Sequence, residues 1–207
     1  MNDEHIIINI GRQLGSGGRD IARRLADDFH CAFFDRELLD LAARESGIAA
    51  SLFAVNDENR GWLQHLFHLR IPQMADNNFY RNNLSEESLF QFQSDAIRRA
   101  ADRGPCVFVG RCADYILRDH RRMVNIFISA NLDQRIETVM NRRKCTRDEA
   151  LKFIRRGESH RAAYYNFYTG KKWGMAESYD ICINTSVMGI EETEAYLKTF
   201  VRKKLEL

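Results

Sequence analysis

The chain has 207 residues, of which 44% are hydrophobic and 29% are charged, a balance typical of one soluble globular domain. Its net charge of +2 is too small to indicate a nucleic-acid-binding protein, and no apolar run is long enough to span a membrane. The five cysteines are widely spaced without a CxxC pair, and the acidic start MNDEH is unlike a signal peptide. We therefore expect free thiols and a cytoplasmic protein.

The hydrophobic pattern predicts five short strands that alternate with helices. Short apolar runs typical of buried strands occupy 5–10, 31–35, 104–111, 123–130 and 179–186, and helical periodicity occupies 18–29, 36–45 and 84–103. This alternation is typical of a parallel sheet with crossover helices, so the predicted fold is α/β. Ligands of such sheets bind at the carboxyl ends of the strands, so the residues that follow each strand are candidates for a functional site.

Two segments interrupt the alternation. Residues 46–85 contain no clear strand and are predicted to form a mostly helical insertion. Its His65 and His68 have apolar neighbours and no further ligands nearby, which favours a packed helix over a zinc site. Residues 141–173 begin with a capping box, Thr146 to Glu149, and continue with a stretch dense in cations and tyrosines.

A glycine-rich loop follows the first strand and precedes the first helix, reading Gly11-Arg12-Gln13-Leu14-Gly15-Ser16-Gly17-Gly18-Arg19. A strand that enters a helix N-terminus through such a loop is typical of a phosphate site. The pattern G-x-x-x-x-G-K-[ST] requires lysine at Gly18 and serine or threonine at Arg19, so the loop does not match it. A purely structural turn is the other interpretation, although clustered glycines lower stability through their backbone entropy.

A dehydrogenase is an alternative interpretation of the same loop. The glycines also fit the G-x-x-x-G-x-G spacing of short-chain dehydrogenases, with Asp35 placed to bind a ribose of NAD(P). Tyr168 and Lys172 have the spacing of the catalytic Tyr-x-x-x-Lys pair of those enzymes. However, Gly170 falls between them, and the two basic insertions would have no role.

Four stretches together resemble the cytidylate-kinase-like family of P-loop proteins, which is related to the nucleoside monophosphate kinases. They are GRQLGSGGRDIARRLA, AFFDRELL, VFVGRCADYIL and RAAYYNFYTGKKWGMAESYDICINTSVMGIEE. The resemblance extends over nearly the whole chain and is weakest across 48–83. The family's own loop has the form RQ-x-GSGGR, so the missing lysine is a trait of the family.

The resemblance implies a single domain over 1–207, with a P-loop NTPase-type parallel sheet of about five strands flanked by helices. It also implies a helical acceptor-binding insertion at 46–85 and an Arg-rich lid at 141–173. The implied activity is transfer of the γ-phosphoryl group of ATP, with Mg²⁺, to a small acceptor such as the nucleoside monophosphate CMP.

The loop and the end of the last strand would bind the donor nucleotide. The residues concerned are Gly11, Gly15, Ser16, Gly17, Gly18, Arg19 and Thr185. Arg12 or Arg19 would supply the positive charge of the missing lysine, since arginine chelates phosphate oxygens. Ser16 is the hydroxyl nearest to a Mg²⁺ position but is out of register, and no residue is assigned as a direct metal ligand.

Residues after the second and third strands and in the lid would bind the acceptor. Asp35 would hold Mg²⁺ through water or accept from the acceptor, although it could equally cap the following helix. Arg111 would clamp the acceptor phosphate, and Asp114 would contact its sugar or base. In the lid, Arg155, Arg156 and Arg161 would close over the phosphates and exclude water. Tyr164, near Arg161 on the same predicted helix, would bind the substrate.

A second class of function remains open, a catalytically inactive nucleotide- or anion-binding regulatory protein. It would be stabilised by ligand without Mg²⁺-dependent turnover. The partners we expect are a small-molecule nucleotide and, at most, a second copy in a homodimer, with no nucleic acid and no membrane partner.

Overall fold

The computed structural model describes residues 5–35 and 86–207. Its strands and α-helices in chain order are β1 (Ile7–Arg12), α1 (Gly18–Asp28), β2 (Ala32–Phe34), α2 (Glu86–Arg103), β3 (Cys106–Val109), α3 (Ala113–Ile116), β4 (Met123–Ser129), α4 (Leu132–Arg143), α5 (Arg147–Thr169), β5 (Ile181–Asn184) and α6 (Thr185–Leu205). The expected α/β fold is confirmed. The helices predicted at 36–45 and 46–85, with His65 and His68, lie outside the described residues.

The five strands form one parallel sheet in the order β2-β3-β1-β4-β5. β1 lies at the centre because its isoleucines are buried on both faces of the sheet. Ile8 and Ile10 pack in one apolar cluster with α1 and α6, whereas Ile7 packs with Phe108, α2 and α3 on the opposite face. The carboxyl ends of all five strands therefore meet at one edge.

β1 extends two residues further than the sequence predicts. Gly11 and Arg12 are paired with Phe127 and Ile128 of β4, so the strand runs into the glycine loop. As a result, Arg12 is held by the sheet and is not part of a free loop. β3, β4 and β5 are shorter than predicted, and the last two residues predicted for β5 begin α6.

α4 and α5 pack against each other through a third, smaller apolar cluster that includes Ile136 and Ile154. Leu14 of the glycine loop packs against this cluster. The predicted capping box is confirmed, since the Thr146 hydroxyl accepts from the Glu149 N–H and the Glu149 carboxylate accepts from the Thr146 N–H. The segment 141–173 thus holds the end of α4 and all of the long helix α5, beside the loop.

All five cysteines lie among the described residues, and none is in a disulfide. This confirms the expectation of free thiols. Among the described helices, none combines the length and the apolar character that crossing a membrane requires.

Candidate functional site

The glycine loop is packed so closely that side chains are excluded at two of its turns. Gly15 and Gly17 have φ values of +85° and +75°, in the left-handed region that favours glycine. A Cβ at Gly15 would lie 2.7 Å from the backbone oxygen of Arg135, and one at Gly17 would lie 2.8 Å from Ile190 Cδ1. The loop is therefore wedged between α4 and α6, with the N-terminus of α1 directly behind it.

Two hydroxyls that the sequence assigned to ligand binding support the backbone of this loop. The Ser16 hydroxyl donates to the Gln13 oxygen at 2.9 Å and lies 3.4 Å from the Gly18 N–H. The Thr185 hydroxyl is buried and donates to the Ser16 oxygen at 3.0 Å. The structure therefore places Ser16 and Thr185 on protein partners that hold the loop in shape.

A cluster of arginines surrounds the end of β1. Burial, and then repulsion from Arg161, lowers the pKa of Arg12 to about 9; Arg111 and Arg19 act in the same direction, and Asp35 opposes them. Arg12 nonetheless remains protonated at neutral pH, so a partly buried cation stands among further cations, with Asp35 as the neighbouring carboxylate. Such an excess of positive charge at the edge of a parallel sheet favours binding of an anion.

The arginines in this cluster have different partners. Arg19 donates to Asp35 Oδ2 from Nε at 3.0 Å and from Nη2 at 2.5 Å. The Asp35 side chain is 7% exposed and that of Arg19 is 50% exposed, so the pair reaches from the sheet edge to solvent. Arg161 of α5 donates to the Arg12 backbone oxygen at 3.1 Å, which ties α5 to the start of the loop.

Arg111 follows β3 in an unusual backbone conformation. Gly110, Arg111 and Cys112 have φ values of +80°, +59° and +57° in succession. Left-handed conformations of non-glycine residues are uncommon and cluster at functional sites. The turn directs the Arg111 guanidinium over the Tyr164 ring of α5, at 5.1 Å from its centroid.

A cavity of about 750 Å³ lies between the carboxyl edge of the sheet and α5. Predicted site residues that line it are Gly11, Arg12, Arg111, Asp114, Arg156, Arg161 and Tyr164. Predicted site residues outside its lining are Gly15, Ser16, Gly17, Gly18, Arg19, Asp35, Arg155 and Thr185. The acceptor candidates other than Asp35 and Arg155 thus converge on one cavity, together with Arg12 from the donor side.

The cavity also has polar lining residues that the sequence analysis did not assign. Asn9 of β1 donates from Nδ2 to Asn125 Oδ1 of β4 at 2.9 Å, and Tyr165 donates to Asp114 Oδ2 at 2.7 Å. Burial raises the pKa of Asp114. The available signal was a lone asparagine within each of two otherwise apolar strands.

The structure gives no support to the dehydrogenase interpretation. α5 ends at Thr169, and Gly170 follows with φ +68°, a left-handed helix end. Tyr168 lies on the helix, where its ring stacks on Phe90 at 3.9 Å, whereas Lys172 lies beyond the end. The Tyr-x-x-x-Lys pair therefore does not share one helical face.

A parallel sheet with β1 at its centre, a glycine loop leading into α1 and a cationic edge are the features of the P-loop kinase fold. The model of the Cytidylate kinase-like family matches residues 7–187. The chain belongs to this family, as its resemblance in sequence implied.

Solved structures show the same fold. An uncharacterized protein from Eubacterium ventriosum is similar over 95% of this chain and 98% of its own, with 27% identity and a TM-score of 0.73. Shikimate kinase from Bacteroides thetaiotaomicron has 15% identity and a TM-score of 0.51 over 98% of this chain and 99% of its own. Shikimate kinase from Acinetobacter baumannii, in complex with shikimate, has 10% identity and a TM-score of 0.50 over 97% and 95% of the two chains. No curated protein matches the chain significantly.

Proposed function

We propose that this protein transfers the γ-phosphoryl group of ATP to a small phosphorylated acceptor, with a nucleoside monophosphate such as CMP as the first candidate. The observation that carries the proposal is the arginine cluster where the glycine loop meets the cavity. Phosphoryl transfer requires mainly positioning and positive charge around the moving group. Membership of the cytidylate kinase-like family supports a nucleotide-using kinase of small molecules.

The donor phosphates would bind at the glycine loop. Backbone N–H groups between Gly15 and Arg19, other than those of Ser16 and Gly18, which donate within the loop, would supply donors. The N-terminus of α1 would add a favourable dipole. Arg19, anchored by Asp35, would stand at the entrance of this site.

The acceptor would lie in the cavity under α5. Arg111 and Arg161 would hold its phosphate, with Arg156 closing over it from the same helix as Arg161. Asp114, at the side of the cavity, would accept from a sugar hydroxyl or a base N–H. We further propose that residues 141–173 act as the lid and that residues 46–85 form the acceptor-binding insertion.

Mg²⁺ fits this site as part of a metal–nucleotide complex. Within 5–35 and 86–207 no three His, Cys, Asp or Glu side chains are grouped so as to hold a metal ion. One or two carboxylates suffice for Mg²⁺ in kinases, because substrate phosphates and water fill its other positions. Asp35, with Arg19 as its ion-pair partner, is the carboxylate beside the arginine cluster that would hold the ion through water. The ion, when bound, neutralises charge on the phosphates.

A coupled assay of ADP release tests the proposal over a panel of nucleoside monophosphates and small anionic metabolites. We expect Mg²⁺-dependent turnover with at least one acceptor, strongly reduced in Arg161→Ala. Arg24→Ala is the matched control, since Arg24 lies on α1 in an exposed pair with Glu191 at 3.0 Å. Binding of ATP without turnover of any acceptor would instead favour the inactive nucleotide-binding protein.

A further inference from the structure

The glycine loop shows an exchange of residue types when it is aligned with the standard phosphate-binding pattern. With Gly17 as the second glycine of G-x-x-x-x-G-K-[ST], the first glycine falls on Arg12 and the lysine falls on Gly18. A cation therefore stands where the pattern has glycine, and glycine stands where it has the cation. The positions of Arg12 and Gly18 in the folded chain explain this exchange.

Arg12 and Gly18 are in direct contact. A Cβ at Gly18 would lie 2.7 Å from Arg12 Cβ and 3.2 Å from Arg12 Cγ. Gly18 begins α1 and is not among the glycines with positive φ, so space and not backbone conformation excludes a side chain there. The stem of Arg12 thus occupies the position from which the lysine of the standard loop would start.

The far end of Arg12 is accommodated by a second glycine. A Cβ at Gly110 would lie 2.7 Å from Arg12 Nη1, so the guanidinium passes directly over the end of β3. Arg12 therefore extends from the loop across to the acceptor side, and it lines the cavity. This is the space between donor and acceptor in which a transferred phosphoryl group would lie.

Arg19, the other candidate for this role, is placed differently. Both Nε and Nη2 of Arg19 bond to Asp35, and the residue does not line the cavity. Arg19 is exposed, with half of its side chain open to solvent, whereas Arg12 is partly buried among other cations. Arg19 therefore lies at the periphery of the site, and Arg12 lies at its centre.

We infer that Arg12 is the catalytic cation of this loop and that Gly18 is glycine because Arg12 passes over it. The inference rests on the proposed function in one respect, that phosphates bind at this loop. A guanidinium offers two parallel N–H donors to phosphate oxygens where the lysine offers a point charge. We therefore expect anion binding to survive when Arg12 and Gly18 are exchanged together, and to be impaired when either residue is changed alone.

A double-mutant cycle tests this reciprocity with Arg12→Gly, Gly18→Lys and the pair combined. We measure the affinity for ATP and for pyrophosphate by calorimetry, turnover by ADP release, and folding by thermal unfolding. Arg12→Gly should weaken anion binding about 10- to 100-fold, as loss of a charged hydrogen bond does. Gly18→Lys should also be impaired because its Cβ meets Arg12, and the double variant should bind better than either single variant.

A second pair of variants separates charge from packing. Arg12→Met keeps a long side chain without charge, and Arg12→Lys keeps the charge, so Lys should retain more anion affinity than Met. Arg24→Ala should behave as the wild type in every measurement, because it is remote from the cavity.

Three results would overturn the inference: wild-type anion affinity in Arg12→Met, a folded double variant no better than Arg12→Gly, and no binding of either anion by the wild type. Absence of turnover in a wild type that binds ATP would count against the proposed kinase activity alone. The binding measurements of the cycle would then still decide the role of Arg12.

Discussion

Arg111 combines a left-handed backbone with a side chain held over an aromatic ring. In the proposed reaction it clamps the acceptor phosphate. We expect Arg111→Lys to weaken acceptor binding about tenfold and Arg111→Ala about 100-fold, because lysine keeps the charge but loses the planar, bidentate contact. Lysine and alanine accept the left-handed φ equally badly, so the difference between the two variants reports the side chain. Acceptor KM and kcat from initial rates decide the matter, and equal effects of the two variants would contradict the clamp.

Asp114 is a buried carboxyl group whose Oδ2 accepts a hydrogen bond from the Tyr165 hydroxyl at 2.7 Å. Burial raises its pKa above the ordinary 3.8. A raised pKa means that the protonated form stabilises the fold at low pH and that this contribution is lost as the pH rises through the folded pKa. We therefore expect Asp114→Asn to gain stability relative to the wild type as the pH is raised.

Denaturant unfolding of both proteins between about pH 4 and pH 8 measures this difference in the free energy of unfolding. Tyr165→Phe is the matched control. It should lower stability when Asp114 is ionised, because a buried carboxylate then loses its donor. A difference between Asp114→Asn and the wild type that does not change with pH would show that Asp114 does not titrate in this range.

At the scale of elements, α5 is the helix on which the proposed lid depends. It contacts the end of β1 through the Arg161 bond to the Arg12 oxygen, and it contacts the loop through Gly157, where a Cβ would lie 2.8 Å from Leu14 Cδ1. These contacts hold α5 against the end of β1 and the glycine loop.

The N-terminus of α5 is fixed by its capping box. Thr146→Ala should lower the free energy of unfolding by about 1 kcal/mol, because it removes the acceptor of the Glu149 N–H. Thr146→Ser keeps the hydroxyl and should be close to the wild type. Thermal unfolding of the three proteins measures the effect, and equal loss in both variants would point to the threonine methyl group instead of the cap.

At the scale of the whole molecule, ligand binding should couple to overall stability, because the site joins the sheet, α1 and α5. ATP at about 100 times its Kd adds roughly 2.7 kcal/mol, which corresponds to a rise in Tm of roughly 5–10 °C. Adenosine lacks the phosphates that the arginines would bind and should shift Tm far less. Similar shifts with ATP and adenosine would show that binding does not use the cationic edge.

The sequence predicts the fold well because the apolar runs of the strands and the periodicity of the helices are local signals. It misplaces the end of β1, since the pairing of Gly11 and Arg12 with β4 depends on a strand more than a hundred residues away. The sequence also leaves Arg12 and Arg19 as equal candidates for the cation that replaces the missing lysine. Their separation depends on Asp35 and Gly110, which come close to them only in the folded chain.

The sequence predicted cavity-lining residues that follow strand ends and missed those that lie within the strands. Arg111 follows β3 directly, and it was predicted because ligands of parallel sheets bind at the carboxyl ends of the strands. Asn9 and Asn125 lie in the middle of β1 and β4 and contribute to the cavity from the face of the sheet. Hydrophobic periodicity identifies a strand from its apolar residues and gives no role to a single polar residue among them. Such a residue should be examined as a ligand contact.

The fluorescence of Trp173 should report binding in this cavity. The chain has two tryptophans, Trp62 and Trp173, and the ring of Trp173 lines the cavity with its centroid 5.2 Å from that of Phe127. Indole emission shifts to shorter wavelength when water around the ring is displaced. A Trp62→Phe variant would therefore carry a single tryptophan, in the lining of the cavity, and its indole emission would report occupancy of the cavity without any coupled assay or label.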